Sequence, residues 1–282
     1  MKTGFLKGLK QTFTSKVAGG QSKSGRKRFF LLDELRGLTL ISMILYHFMW
    51  DLAYIVGVHM PWYSGDGGYI WQQSICWTFI LLSGFCWSFG RRPLKRGVII
   101  FFWGMVITAV TFLLGEGYMI FFGILTLLGS SMVLLIPTDF VLNRLLSGIS
   151  HKAIKILLLM FLMFTCLAMF LQIKHHSNIL SADFERNLFT AYLGFPSKEF
   201  HSEDYFPLLP WGLLYATGYL LHKLCAVFTI PGSVCARIAE FARISHIPPL
   251  SFLGRNCLII YLLHQPVLYV ISMIIRMAFA QS

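Results

Sequence analysis

The sequence predicts an all-α fold, a polytopic membrane bundle of about seven transmembrane helices. Charged residues make up only 13% of the 282-residue chain, against 56% hydrophobic, whereas a soluble domain carries about 25% charged residues. The apolar residues gather in blocks near the ~20 residues that cross a bilayer as a helix. No stretch alternates apolar and polar residues as a half-buried strand would.

The blocks place spans at Gly37–Val58, Ile70–Phe89, Gly97–Leu114, Tyr118–Pro137, Ala153–Ile173, Phe206–Leu224 and Asn256–Met277. The first is apolar apart from His47 and Asp51. The second runs out at "RRPLKR", a stop signal rich in cations. A tight "GEGY" turn separates the third from the fourth. The sixth, "FPLLPWGLLYATGYLL", is short and holds two prolines, which predicts an irregular entry. Before the first span, residues 1–28 read as a basic, flexible cytoplasmic arm. They lack the apolar core and cleavage site of a signal peptide. Residues 29–282 read as a single transmembrane domain.

Lys and Arg orient the bundle. The arm to Arg36 holds nine, "RRPLKR" four, Arg144–Lys155 three and Lys223–Arg255 four, so 20 of the 24 fall on one side. Acidic residues lean the other way, with Asp66, Glu116, Asp183, Glu185, Glu199, Glu203 and Asp204 on the opposite face. The N-terminus is therefore expected in the cytoplasm, in a multi-pass protein of the cell (inner or plasma) membrane. The net charge of +12 lies in loops beside the bilayer, which points to membrane lipids as partners and not to nucleic acid. The six scattered cysteines form no C-x-x-C pair and read as small buried hydrophobes. The outer segment Lys174–Tyr205 is long for a connection, as lids and binding loops are.

The first span carries the chemistry. In "RGLTLISMILYHFMWD", Arg36 and His47 are eleven residues apart, about three turns, so they share a face at a rise of roughly 16 Å. Arg36 then sits at the inner edge with His47 near mid-bilayer. Asp51, four residues on, is placed to orient His47 and favour its charged form. Trp50 and Tyr54 flank the stripe. A charge at this depth costs about 2.5–3.5 kcal/mol even on lenient scales. A mere interhelical polar pair is a costly use of two such groups, so a hydrated site is expected. The last span repeats the pattern, with Arg255 at the inner edge and His264 nine residues later, about 13 Å deeper. A long anionic donor could rest its phosphates on Arg36 and Arg255, with "RRPLKR" (Arg91, Arg92) adding contacts. Its reactive end would reach His47, the general base. Coenzyme A has that shape. Glu116 and Asp204, on the outer side, are candidates to meet the acceptor.

Several stretches resemble one family. "DELRGLTLISMILYH" is similar to the R-x10-H signature of membrane acyltransferases, and "FILLSGFCWSF" to their second-span motif. "GRNCLIIYLLHQPVL" resembles a C-terminal element of the same superfamily. "HFMWDL", "IFFGILTLLG" and "DYFPLLPWGLLYATGYLL" resemble bacterial proteins related to heparan-α-glucosaminide N-acetyltransferase. The resemblance implies transfer of an acetyl group from cytoplasmic acetyl-CoA, as co-substrate, to an extracytoplasmic sugar amine or hydroxyl. It implies a catalytic histidine, matched here by His47, and no metal. Two positions depart from the pattern. Thr126 stands where relatives often carry histidine. In animal relatives the key histidine comes just after the first span, where this chain has His59, the reserve candidate. Ser83-Gly84 reads as a close helix contact before it reads as a nucleophile.

Other readings fit the same residues. Intramembrane His, Asp and Arg also serve a proton-coupled transporter, although the inverted repeats common in transporters are not seen. His47 and His264 at matched depth could ligate a haem, though Asp51 beside His47 suits that less. An inactive interaction protein of the same fold would look alike. The oligomeric state and the acceptor are left open.

Overall fold

The computed structural model describes residues 28–115, 119–175, 187–229 and 233–280. The predicted arm, up to residue 27, and Glu116 lie outside them, as do residues 176–186 of the long outer segment. In chain order the helices are α1 (Phe30–Asp51), α2 (Pro61–Ser64), α3 (Asp66–Phe85), α4 (Pro93–Leu114), α5 (Ile124–Gly148) and α6 (Lys152–His175). There follow α7 (Leu188–Leu193), α8 (Leu208–Phe228), α9 (Val234–Phe241), α10 (Pro248–Arg255) and α11 (Cys257–Ala280). No strand occurs among the described residues.

Each of the seven expected spans coincides with a long helix. Five are long and apolar enough to cross a bilayer: α1 with the turn that follows it, α4, α5, α6 and α11. The protein is a multi-pass membrane protein. α3 and α8 have the length, at 20 and 21 residues, but more polar and small residues. The irregular entry expected for α8 is present, since Leu209 departs from helical geometry inside its first turn.

The chain divides into two compact units, one of residues to Pro61 and from Ala236 onward, the other Trp62–Cys235. The first unit is built from the two ends of the sequence. Its α10 lies directly on the first turns of α1 because both helices present glycine. A Cβ at Gly37 would overlap the Leu250 carbonyl, and one at Gly254 would overlap that of Asp33. Glu34 fastens the same contact. One of its oxygens accepts from Ser245 Oγ (3.0 Å), His246 N (2.8 Å), Ile247 N (2.9 Å) and Ser251 Oγ (2.9 Å). A buried carboxylate is tolerable when donors surround it in this way; here three come from the turn leading into α10 and one from Ser251 within it. Asp33, also buried, takes Arg28 at 2.8 Å and Arg36 at 3.2 Å.

In the second unit the expected Ser83-Gly84 contact is a helix crossing. A Cβ at Gly84 would meet the Tyr215 carbonyl, and one at Gly218 that of Leu81, so α3 and α8 touch backbone to backbone. α5 continues past Pro137 to Gly148. Its Asp139 accepts from Tyr219 at 2.6 Å and pairs with Lys223 at 2.6 Å on α8. In the outer segment, α7 opens on a capping box between Asn187 and Thr190. The following chain is tied to the α5 entry by Glu203 N–Met119 O (3.0 Å) and Phe206 N–Phe122 O (2.9 Å).

Candidate functional site

The first unit brings His47 and His264 together. α1 carries His47 and α11 carries His264, and their ring centroids lie 5.0 Å apart at 54°. Tyr46 meets His47 edge-on at 5.9 Å, and Tyr261 lies 5.4 Å from His264. His264 Nδ1 is 2.5 Å from the Tyr261 carbonyl oxygen. A carbonyl can only accept, so Nδ1 carries the hydrogen and the neutral ring keeps its lone pair on Nε2. That Nε2 is buried and has no hydrogen-bond partner among the described residues. The fold thereby presents this nitrogen as an oriented proton acceptor.

Asp51 takes a different place from the one its spacing suggests. It is fully buried, and among the described residues no hydrogen bond joins it to His47. Gln265 Nε2 donates to one oxygen at 3.2 Å and Ser272 Oγ to the other at 3.3 Å. Both donors come from α11, so the carboxylate binds the two helices together and leaves the imidazole alone. The sequence reading missed Ser272 and this use of Gln265. The available signal was a second polar residue eight positions beyond His264, two turns along the same helix. Gln265 Oε1 remains buried without a partner among the described residues.

α1 ends beside Asp51 in a π-helical turn, Leu52–Val56, closed by Gly57 at φ 89°. The wider turn needs a left-handed residue to end it, which glycine supplies. The Trp50 and Tyr54 rings lie 5.1 Å apart across its start, tilted by 39°, with Tyr54 exposed. His59 follows in an exposed loop. It makes no hydrogen bond or ring contact among the described residues.

The cationic candidates separate by unit. Arg36 is half-buried, bonded to Asp33, and close enough to the Cys257 thiol at the start of α11 to act on it electrostatically. Arg255 ends α10 and donates Nε to the Ser251 carbonyl at 3.2 Å. Both belong to the first unit. Arg91 and Arg92 belong to the second, where Arg92 precedes α4 at φ 54°. Asp204 also lies in the second unit. Its carboxylate accepts from the Ile124 N–H, and burial pushes its pKa up to about 6. There it caps α5, a structural use beside the acceptor role expected of it. Thr126, fully buried, spends its hydroxyl on the Gly123 carbonyl at 2.7 Å.

No match is found among curated proteins or among solved structures. The family model described as heparan-alpha-glucosaminide N-acetyltransferase, catalytic, matches residues 28–266, from the Arg28–Asp33 pair through both histidines. The chain belongs to the heparan-α-glucosaminide N-acetyltransferase catalytic family, whose members are membrane acetyltransferases.

Proposed function

We propose that the protein moves an acetyl group from cytoplasmic acetyl-CoA to an amine or hydroxyl of an extracytoplasmic sugar, using the His47–His264 pair. The observation that carries this reading is the buried Nε2 of His264, without a hydrogen-bond partner among the described residues, on a ring 5.0 Å from that of His47, in a chain of this family. The donor's phosphates would rest on Arg36, with Arg255 beside it, at the end of α1 that the Lys and Arg distribution assigns to the cytoplasm. The rise from Arg36 to His47, roughly 16 Å, is then spanned by the flexible arm that ends in the thioester. Trp50 and Tyr54, about one and two turns beyond His47, would meet the sugar.

The imidazole pair acts as general base. As the acceptor nitrogen or oxygen attacks the thioester carbon, its N–H or O–H bond breaks and the proton passes to imidazole. A C–N or C–O bond forms, the C–S bond breaks, and the departing thiolate takes the proton back. Net change is acetyl for hydrogen on the acceptor and hydrogen for acetyl on sulfur. No other reactant is needed.

The test is acetyl transfer by the purified protein in nanodiscs, with acetyl-labelled acetyl-CoA and a hexosamine acceptor. Labelled acetyl-hexosamine and free CoA are expected, and His47→Ala should abolish both. Failure of the folded wild-type protein to release CoA with any amino or neutral sugar would overturn the reading. Full activity in His47→Ala with loss in His59→Ala would move the base to the loop.

A further inference from the structure

Arg28 and Arg243 line one cavity of about 460 Å3 with Phe30 and Glu240. The cavity sits where the chain enters α1, since Leu31 N–H donates to the Ala242 carbonyl at 3.1 Å. Arg243 is held over the Phe29 ring, 5.2 Å from its centre, which fixes the plane of the guanidinium. Its Nε is buried and has no hydrogen-bond partner among the described residues. A buried guanidinium N–H without an acceptor is unfavourable unless some other group supplies one. Arg28 gives Nε to Asp33 and stays about half exposed. The acetyl-transfer reading uses neither arginine.

The surface beside this cavity is apolar. Val234, Ile238 and Phe241 fall on one face of α9 at helical spacing. Ile244 and Ile247 follow in the turn that leads to α10, and all five are half or more exposed. Arg237 and Glu240 are exposed on the same helix. A short helix with an apolar face and cations beside it lies in the plane of a bilayer interface. The depth agrees, because α9 and α10 are fastened to the first turn of α1, which crosses the bilayer.

We infer that Arg28 and Arg243 bind the phosphate of an anionic phospholipid in the leaflet at the N-terminal end of α1. The apolar residues from Ile238 to Ile247 lie among the upper acyl carbons of the same leaflet. Charge complementarity selects this occupant. Two guanidinium groups suit a phosphodiester, with its charge spread over two oxygens, better than they suit a zwitterionic headgroup whose ammonium would meet Arg243. Glu240 sets an upper limit on affinity, since its carboxylate lines the same space.

Native mass spectrometry of the full chain in detergent tests this, with phosphatidylglycerol and phosphatidylcholine added separately. Wild-type protein should retain one phosphatidylglycerol in preference to phosphatidylcholine. Arg243→Gln and Arg28→Gln should each weaken that retention by about fivefold, as one cation at a membrane surface is worth. Arg237→Gln, on the same helix outside the cavity, should leave it unchanged. Glu240→Gln should strengthen it, a gain that stands even if an arginine variant fails to fold. Equal losses in Arg237→Gln and Arg243→Gln would replace the site with diffuse surface charge and overturn the inference. So would unchanged retention in Arg243→Gln, or full competition by millimolar inorganic phosphate, which would assign the cavity to a soluble anion.

Discussion

His47 and His264, from opposite ends of the chain, face one another with ring centroids 5.0 Å apart. Among the described residues the fold sets the tautomer of His264, which donates Nδ1–H to the Tyr261 carbonyl, and makes no such bond to His47. If the pair is the base, removing either ring should slow acetyl transfer by about 10²–10⁴-fold. The double variant should be little worse than either single one, as for groups that act as a unit. His59→Ala should stay within a few-fold of wild type. Single-turnover CoA release in nanodiscs compares the four variants with wild type.

If Arg36 holds the donor's phosphates, its loss should show in donor binding and not in the chemical step. Arg36→Gln should raise the KM for acetyl-CoA roughly tenfold, the loss of one charge-assisted contact to phosphate, with kcat nearly unchanged. Arg36→Lys should restore only part of it, since an ammonium cannot reproduce the planar fork. An unchanged donor KM in both variants would remove the phosphate role.

Asp51 holds α1 to α11 through Gln265 and Ser272. Asp51→Asn keeps a group that can accept from one and donate to the other, so it should retain most stability and activity. Asp51→Leu leaves two buried donors without acceptors and should cost about 1–3 kcal/mol. Thermal unfolding in detergent reads the difference. Were Asp51 the orienting group behind His47, Asp51→Asn would instead lose activity at unchanged stability.

The glycine contact between α1 and α10 predicts a sharp contrast. Gly37→Ala and Gly254→Ala force a methyl group into opposing backbone and should each destabilise by about 1–3 kcal/mol or more. Gly148→Ala, with nothing within 4 Å of the new Cβ, should be neutral or slightly stabilising. Equal melting points for all three would contradict the close approach.

Asp204 makes stability depend on pH. Burial holds its carboxyl at about 6 in the fold, against 3.8 for the free group. The folded state therefore binds the proton more tightly than the unfolded chain. Its contribution is complete below about pH 4, declines as pH rises toward 6, and is gone above that. Asp204→Asn should abolish this slope and raise stability at neutral pH by on the order of 1–3 kcal/mol. Melting curves across that range, for both proteins, provide the check.

Hydropathy made the long helices legible, and its errors have physical causes. α1 begins at Phe30 and not at Gly37, because Asp33 and Glu34 look like a boundary in sequence but are satisfied by Arg28, Arg36 and the α10 N-terminus. α5 runs eleven residues past Pro137, because Asp139 finds Tyr219 and Lys223. Charges with partners do not end a helix, and one chain's sequence does not reveal the partners. The site divides in the same way. Helical rise alone put His47 and His264 at similar depth. It could not tell that Asp51 would turn to α11, since an i, i+4 spacing permits a contact without requiring one.

The four donors gathered by Glu34 have a bearing on biogenesis. All of them come from Ser245–Ser251, and the partners of Asp51 arrive later still. At about 5–20 residues per second, a ribosome needs roughly 10–40 s to supply them after α1 has been made. During that interval Glu34 and Asp51 lack the partners that residues 245–272 later supply. The first unit therefore closes only once α10 and α11 have followed α1 into the bilayer, and its two ends fold together late although one of them is made first.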